Sequence, residues 1–153
     1  MGPLLAQRLE IPFHDLDEII VQNAQRSIPE IFHLEGEMGF RRREAESIRA
    51  MEQEQPAVIA CGGGAILRAD NRIAMQQSGT RIYLRVPLKI LEARLRYKKD
   101  RPLLAPDSLA DTLAGQLATR ESWYQESEIQ IDAGDGSPEQ VARTIFASWK
   151  NQI

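Results

Sequence analysis

Apolar and polar positions along this chain alternate between two rhythms. Residues 57–61 (Ala-Val-Ile-Ala-Cys) form an unbroken apolar run that stops at three consecutive glycines, the pattern of a fully buried, parallel strand. Residues 81–86 and 129–132 read as further strands, and residues 11–14 as a short extended segment ending at Asp15. Between them the spacing becomes helical. Residues 4–9 read as the tail of a helix, and 18–25 and 27–33 as helical. Residues 36–51 form a charged amphipathic helix with Phe40, Ala45, Ile48 and Met51 on its apolar side. Residues 68–77 make a helix that Gly79 ends. Pro87 opens another through Arg96, with Leu88, Leu91 and Leu95 on one stripe. Residues 109–127 are helical. A last helix starts at Ser137-Pro138-Glu139-Gln140, with an N-cap serine, a proline at the first position and a glutamine completing a capping box, and runs to Trp149.

Strands alternating with helices predict an α/β fold with a parallel sheet, in a single domain spanning residues 1–153. Ligand sites in such folds lie at the carboxyl ends of the strands. That rule brings Asp15, Asp17, Gly62, Gly63 and Gly64 to one edge, although they are far apart in sequence.

Composition narrows the classes of partner. The apolar share is 42%, the charged share 27% and the net charge −3, which point to neither nucleic acid nor an anionic membrane. An anion site must therefore be local and built from a few arginines. The lone Cys61 permits no disulfide within the chain and reads as a small core residue at the end of a buried strand. No signal-like segment opens the sequence, and no apolar run approaches the ~20 residues of a membrane helix, so a cytoplasmic location is expected. His14 and His33 are isolated from other metal-ligating residues.

Five groups could carry chemistry. Asp15 and Asp17 follow a strand at a spacing that lets one orient Mg²⁺ through water and the other accept a hydroxyl proton; a plain N-cap is the competing reading. Within Phe40-Arg41-Arg42-Arg43-Glu44 a guanidinium could clamp a carboxylate, or Arg41 could simply pair with Glu44 on a solvated helix face. Gly62, Gly63 and Gly64 expose backbone N–H groups and admit a ligand close to the chain, beyond what a tight turn needs. Residues 98–104 are basic and proline-stiffened, suited to closing over phosphates with Arg101, or to being a charged surface loop. Arg120 could be a second carboxylate clamp with Tyr124 packed behind it.

In this order, Pro12-Phe13-His14-Asp15-Leu16-Asp17, Gly39-Phe40-Arg41 with Glu44, Gly62-Gly63-Gly64, Arg101-Pro102-Leu103-Leu104 and Arg120 with Tyr124 resemble the shikimate kinase family across nearly the whole chain. The resemblance implies a three-layer kinase fold, with the acceptor-binding region at about residues 15–44 and a lid loop at about 98–113. It implies ATP-dependent phosphorylation of the shikimate 3-hydroxyl, with Mg²⁺ accompanying ATP, in a monomeric enzyme of aromatic amino acid biosynthesis. Asp17 matches the residue that binds shikimate and activates its hydroxyl. Asp15 matches the aspartate near the Mg²⁺ shell. Arg41 and Arg120 match the carboxylate clamps, with Gly62, Gly63 and Gly64 as the substrate-facing turn. Arg101 matches the lid arginine on the ATP phosphates, and Ser137 falls in the loop near adenine.

One departure matters. The family opens with a strand and a G-x-x-x-x-G-K-[ST] loop that cradles phosphates, and no Gly-Lys-Ser or Gly-Lys-Thr occurs in this sequence. The fold is thus expected to lack its usual first strand and phosphate loop, and these residues are expected to show little kinase activity. The competing expectation is a non-catalytic binding module that retains the acid pocket. A third is another small-molecule or nucleotide kinase of the same broad fold, against which the combination of Asp15-Leu16-Asp17, Gly62-Gly63-Gly64 and Arg101-Pro102 speaks.

Overall fold

The computed structural model describes residues 1–51, 55–95 and 109–151. Helix α1 (Gly2–Leu9) carries Pro3 in its first turn, where the missing N–H costs nothing. Strand β1 (Phe13–Asp15) leads directly into α2 (Leu16–Ala24). Helix α3 (Ile28–Met51) is broken at Gly36, whose φ of 68° and ψ of −176° no helix accommodates. The two helices expected on either side of that glycine are therefore both present. Strand β2 (Val58–Ala60), a 3₁₀ turn (Ala65–Leu67), α4 (Ala69–Ser78), β3 (Ile82–Arg85) and α5 (Leu88–Leu95) follow, then α6 (Leu109–Gln125), β4 (Ile129–Asp132) and α7 (Pro138–Lys150). Helix α7 starts where its capping signals place it: Gln140 N–H donates to Ser137 Oγ at 3.3 Å, and Ser137 N–H donates to Gln140 Oε1 at 2.8 Å.

Among the described residues all pairing is parallel, and the strands form two pairs rather than one sheet. β1 pairs with β2, setting Asp15 beside Ala60, and β3 pairs with β4. Val58 N–H donates to the Pro12 carbonyl at 2.8 Å. Backbone groups alternate sides along a strand, so those of Ile59 point to the other edge of β2. The amides of Ile129 and Ala133 likewise bond Arg81 and Arg85 at 3.1 and 2.8 Å, which turns Ile82 and Leu84 to the outer edge of β3.

This division corrects two expectations. The apolar run of β2 is not fully buried: Ile59 is 40% exposed, and among the described residues β2 pairs with β1 alone. Cys61 is an exposed residue at the end of that strand rather than part of the core.

Two apolar clusters hold the fold. One joins Leu5 of α1, Ile129 and Ile131 of β4, and Val141, Ala142 and Ile145 of α7, with Val58, Ile82 and Leu84 packed against it. Both strand pairs thus border one cluster. The other joins Leu16, Ile20, Ile31, Phe40 and Ile48 beneath α2 and α3 with Ala65 and Ala74. Each fully buried aliphatic side chain contributes roughly 1.5–3 kcal/mol. The second cluster fixes the helices that carry the charged residues described next.

Candidate active site

The floor of the site is the glycine turn after β2, and each of its glycines abuts a different side chain. A Cβ on Gly62 would lie 3.7 Å from Asp17 Oδ1, and one on Gly63 would lie 3.1 Å from the Tyr124 hydroxyl. On Gly64 it would run into the Arg41 guanidinium. Three distant segments, at the start of α2, in α3 and in α6, therefore meet on one turn. The parallel pairing of β1 with β2 explains the first of these, since it sets Asp15 beside Ala60 just before the glycines. Asp15 also does what an N-cap does: its Oδ1 accepts from the Asp17 N–H at 2.9 Å. This orients the first turn of α2 and points Asp17 toward Gly62.

The three consecutive arginines divide by role. Arg41 turns inward, its side chain 14% exposed, and its Nη1 donates to both oxygens of Glu44 at 3.1 and 3.0 Å. The pairing expected from i, i+3 spacing is present, but on the buried side of the helix rather than on a solvated one. Arg43 closes the kink at Gly36 by donating to Glu35, with Nη2 to Oε1 at 2.7 Å. Arg42 faces solvent at 66% exposure.

Glu44 is buried at 1% exposure. Burial pushes its carboxyl above the ordinary range; Arg41 opposes this, and Asp17 and Glu37 add to it. The thiol of Cys61 lies close to the same carboxylates. Although residue 61 reaches solvent, its thiol is closely surrounded by protein, and this desolvation, then Glu44, Asp15 and Asp17, push it up to about 12.

Helix α6 supplies the opposite wall. The Tyr124 hydroxyl donates to the Gly63 carbonyl at 2.6 Å, and Arg120 Nη1 donates to the same oxygen at 3.4 Å. Tyr124 stacks on Tyr83 of β3. Sequence reasoning gave Tyr124 only a packing role and did not single out Tyr83 or Glu121. Their partners lie tens of residues away, so no local signal marks them.

Asp15, Asp17, Arg41, Gly62, Gly63, Gly64 and Arg120 are thus brought together. Ser137 is not part of this group: its hydrogen bonds lie within the first turn of α7. Arg101 and most of the lid expected at 98–113 lie outside the described residues; residues 109–113 belong to α6.

A family model described as shikimate kinase matches residues 1–150. The chain belongs to the shikimate kinase family. It is 37% identical over 145 residues to a shikimate kinase of Geobacter sulfurreducens, covering 95% of this chain and 80% of that one. It is 40% identical over 151 residues to shikimate kinase 2 of Serratia proteamaculans, covering 97% and 86%. Among solved structures, the shikimate kinase of Acinetobacter baumannii in complex with shikimate superposes with a TM-score of 0.95 at 33% identity, covering 99% of this chain and 85% of that one. The shikimate kinase of Aquifex aeolicus superposes at 0.84 with 31% identity, covering 99% and 88%. The α/β kinase fold of the family is present, with parallel strands throughout. No helix among the described residues is long and apolar enough to cross a membrane.

Proposed function

We propose that this protein phosphorylates the 3-hydroxyl of shikimate with ATP, as a cytoplasmic, monomeric enzyme of chorismate and aromatic amino acid biosynthesis. One observation carries the reading: the glycine turn is lined at once by a carboxylate, Asp17, and by two arginines, Arg41 and Arg120. Shikimate is a small carboxylate bearing three hydroxyls, and this set offers two cations for the carboxylate and an acceptor for one hydroxyl. In this reading the two arginines hold its carboxylate by charge-assisted hydrogen bonds. Asp17 orients the 3-hydroxyl and accepts its proton as the phosphoryl group arrives. Phosphoryl transfer asks mostly for positioning and charge neutralisation, so in this reading Arg101, which matches the family's lid arginine, completes the catalytic pair with Asp17. The loop at Ser137 lies beside adenine. The residues at 15–44 form the acceptor-binding region of a single domain.

Among the described residues no three metal-ligating side chains converge. In this reading Mg²⁺ accompanies ATP, where it would neutralise phosphate charge, and Asp15 would reach it through water.

Residues 1–153 contain no G-x-x-x-x-G-K-[ST] loop. We infer that the outer edges of β2 and β3, which border one apolar cluster, could take up a further extended strand that carries such a loop. The split into two pairs that border one apolar cluster supports this. Residues 1–153 alone then bind shikimate but transfer phosphate poorly. The non-catalytic module is not favoured, since the relatives named above are kinases.

Calorimetric titration of the folded chain with shikimate, beside a coupled ADP-release assay, tests both parts. Binding that vanishes in Arg41→Met and Arg120→Met is expected. A folded chain blind to shikimate would refute the acceptor site. Turnover by residues 1–153 equal to that of a relative carrying the loop would refute the need for the added strand and loop.

A further inference from the structure

Tyr124 does more than pack. Its hydroxyl bonds the Gly63 carbonyl at 2.6 Å, while its ring lies flat on Tyr83, with centroids 5.0 Å apart and planes 14° apart. The Tyr83 hydroxyl in turn donates to Glu121 Oε2 at 3.0 Å, returning to the helix that carries Tyr124. β3 and α6 are thus joined by a stack and a hydrogen bond, which together fix the rotation of α6. Arg120 and Tyr124 are four residues apart on that helix, on one face, and both reach the same carbonyl oxygen.

We propose that Tyr124 is a positioning residue for acceptor binding: braced by Tyr83, its hydroxyl clamps the Gly63 carbonyl, and so sets both the orientation of the glycine turn and the reach of Arg120. The inference rests on the shikimate-binding reading above. Peptide planarity supplies the lever. With the Gly63 carbonyl held toward α6, the Gly64 N–H points to the opposite side of the turn. The Ala65 N–H closes the turn on the Gly62 carbonyl at 3.0 Å, and the Tyr124 hydroxyl adds a donor on the Gly63 carbonyl within it. The weaker Arg120 contact on the same oxygen, at 3.4 Å, is one that a substrate carboxylate can replace. Burial raises both phenols, Tyr83 to about 12, so both remain protonated donors at neutral pH.

The test uses Tyr124→Phe, which keeps the ring and the stack and removes only the donor. Tyr83→Phe keeps the stack and removes only the bond to Glu121. In the free chain, Y124F should move the Gly63 carbonyl and Gly64 amide resonances and leave those of α1 and α7 in place. In a shikimate titration it should weaken binding about 10-fold, equivalent to ~1.4 kcal/mol, with a smaller loss for Y83F. Unmoved glycine resonances with wild-type affinity would overturn the clamp. Loss of affinity accompanied by shifts throughout the spectrum would also overturn it, since that marks a purely structural role. A wild-type chain that fails to bind shikimate overturns the functional reading instead, and the ligand-free glycine resonances of Y124F still decide whether the clamp exists.

Discussion

The guanidinium of Arg41 occupies the space that a Cβ on Gly64 would take. Gly64 itself sits at φ −94° and ψ −9°, which any residue can adopt. The need for glycine here is therefore a matter of room, not of backbone conformation. Gly64→Ala should displace Arg41 from the buried Glu44 carboxylate, and so lower the thermal midpoint and weaken shikimate binding by about 10-fold or more, ~1.4 kcal/mol. Calorimetry on the alanine variant checks this; unchanged affinity would show that Arg41 is not held at the turn.

Glu44 links that arginine to pH. A carboxyl whose folded pKa lies above its ordinary 4.5 binds its proton more tightly folded than unfolded. Its contribution to stability is thus greatest at low pH and falls as pH rises from about 4.5 through the folded value. Glu44→Gln has no such dependence, although it loses the charged hydrogen bonds to Arg41 at every pH. The stability of E44Q relative to the unsubstituted chain should rise between about pH 4 and about pH 7. Urea unfolding at those two values measures it, and a difference that stays flat would contradict the assignment.

Cys61 is exposed as a residue but slow as a nucleophile. With its thiol pushed from 9.0 to about 12, little thiolate exists near neutrality. Alkylation by iodoacetamide at about pH 8 should be at least about 100-fold slower in the folded chain than in the chain unfolded by guanidinium. Asp17→Asn removes one nearby negative charge and should speed it. Equal rates folded and unfolded would exclude the desolvated, carboxylate-rich surroundings described for the thiol.

The outer edges of β2 and β3 make a prediction about exchange. The amide of Ile59 should exchange faster with deuterium than that of Val58, which is bonded to Pro12. The amide of Leu84 should be similarly fast. An extended apolar peptide seated between the two edges should protect Ile59 and Leu84 together. Protection of both amides in the chain alone would mean that the edges are already satisfied.

Much of the fold was legible because its signals are local. The capping box at Ser137 and Gln140, the separation of a 27–33 helix from a 36–51 helix and the apolar face of Phe40, Ala45 and Ile48 each act within a turn or two of chain. The strand at 58–60 was also legible, but its burial was not. Burial depends on what lies beside a strand, and the apolar run reads the same whether β2 has one neighbour or two. Cys61 was misplaced for that reason.

The sequence by itself determined the residue types and their order: an aspartate pair after one strand, three glycines after another, an arginine in each of two helices. It also carried the family, because several motifs in one order are specific when each alone is not. Only the tertiary structure decided how they are used. It turned Arg41 inward and Arg42 outward, though the two are adjacent, and it closed Tyr124 on Gly63 across sixty-one residues. Helical rotation and strand register set those choices, and both depend on packing between segments that local sequence does not describe.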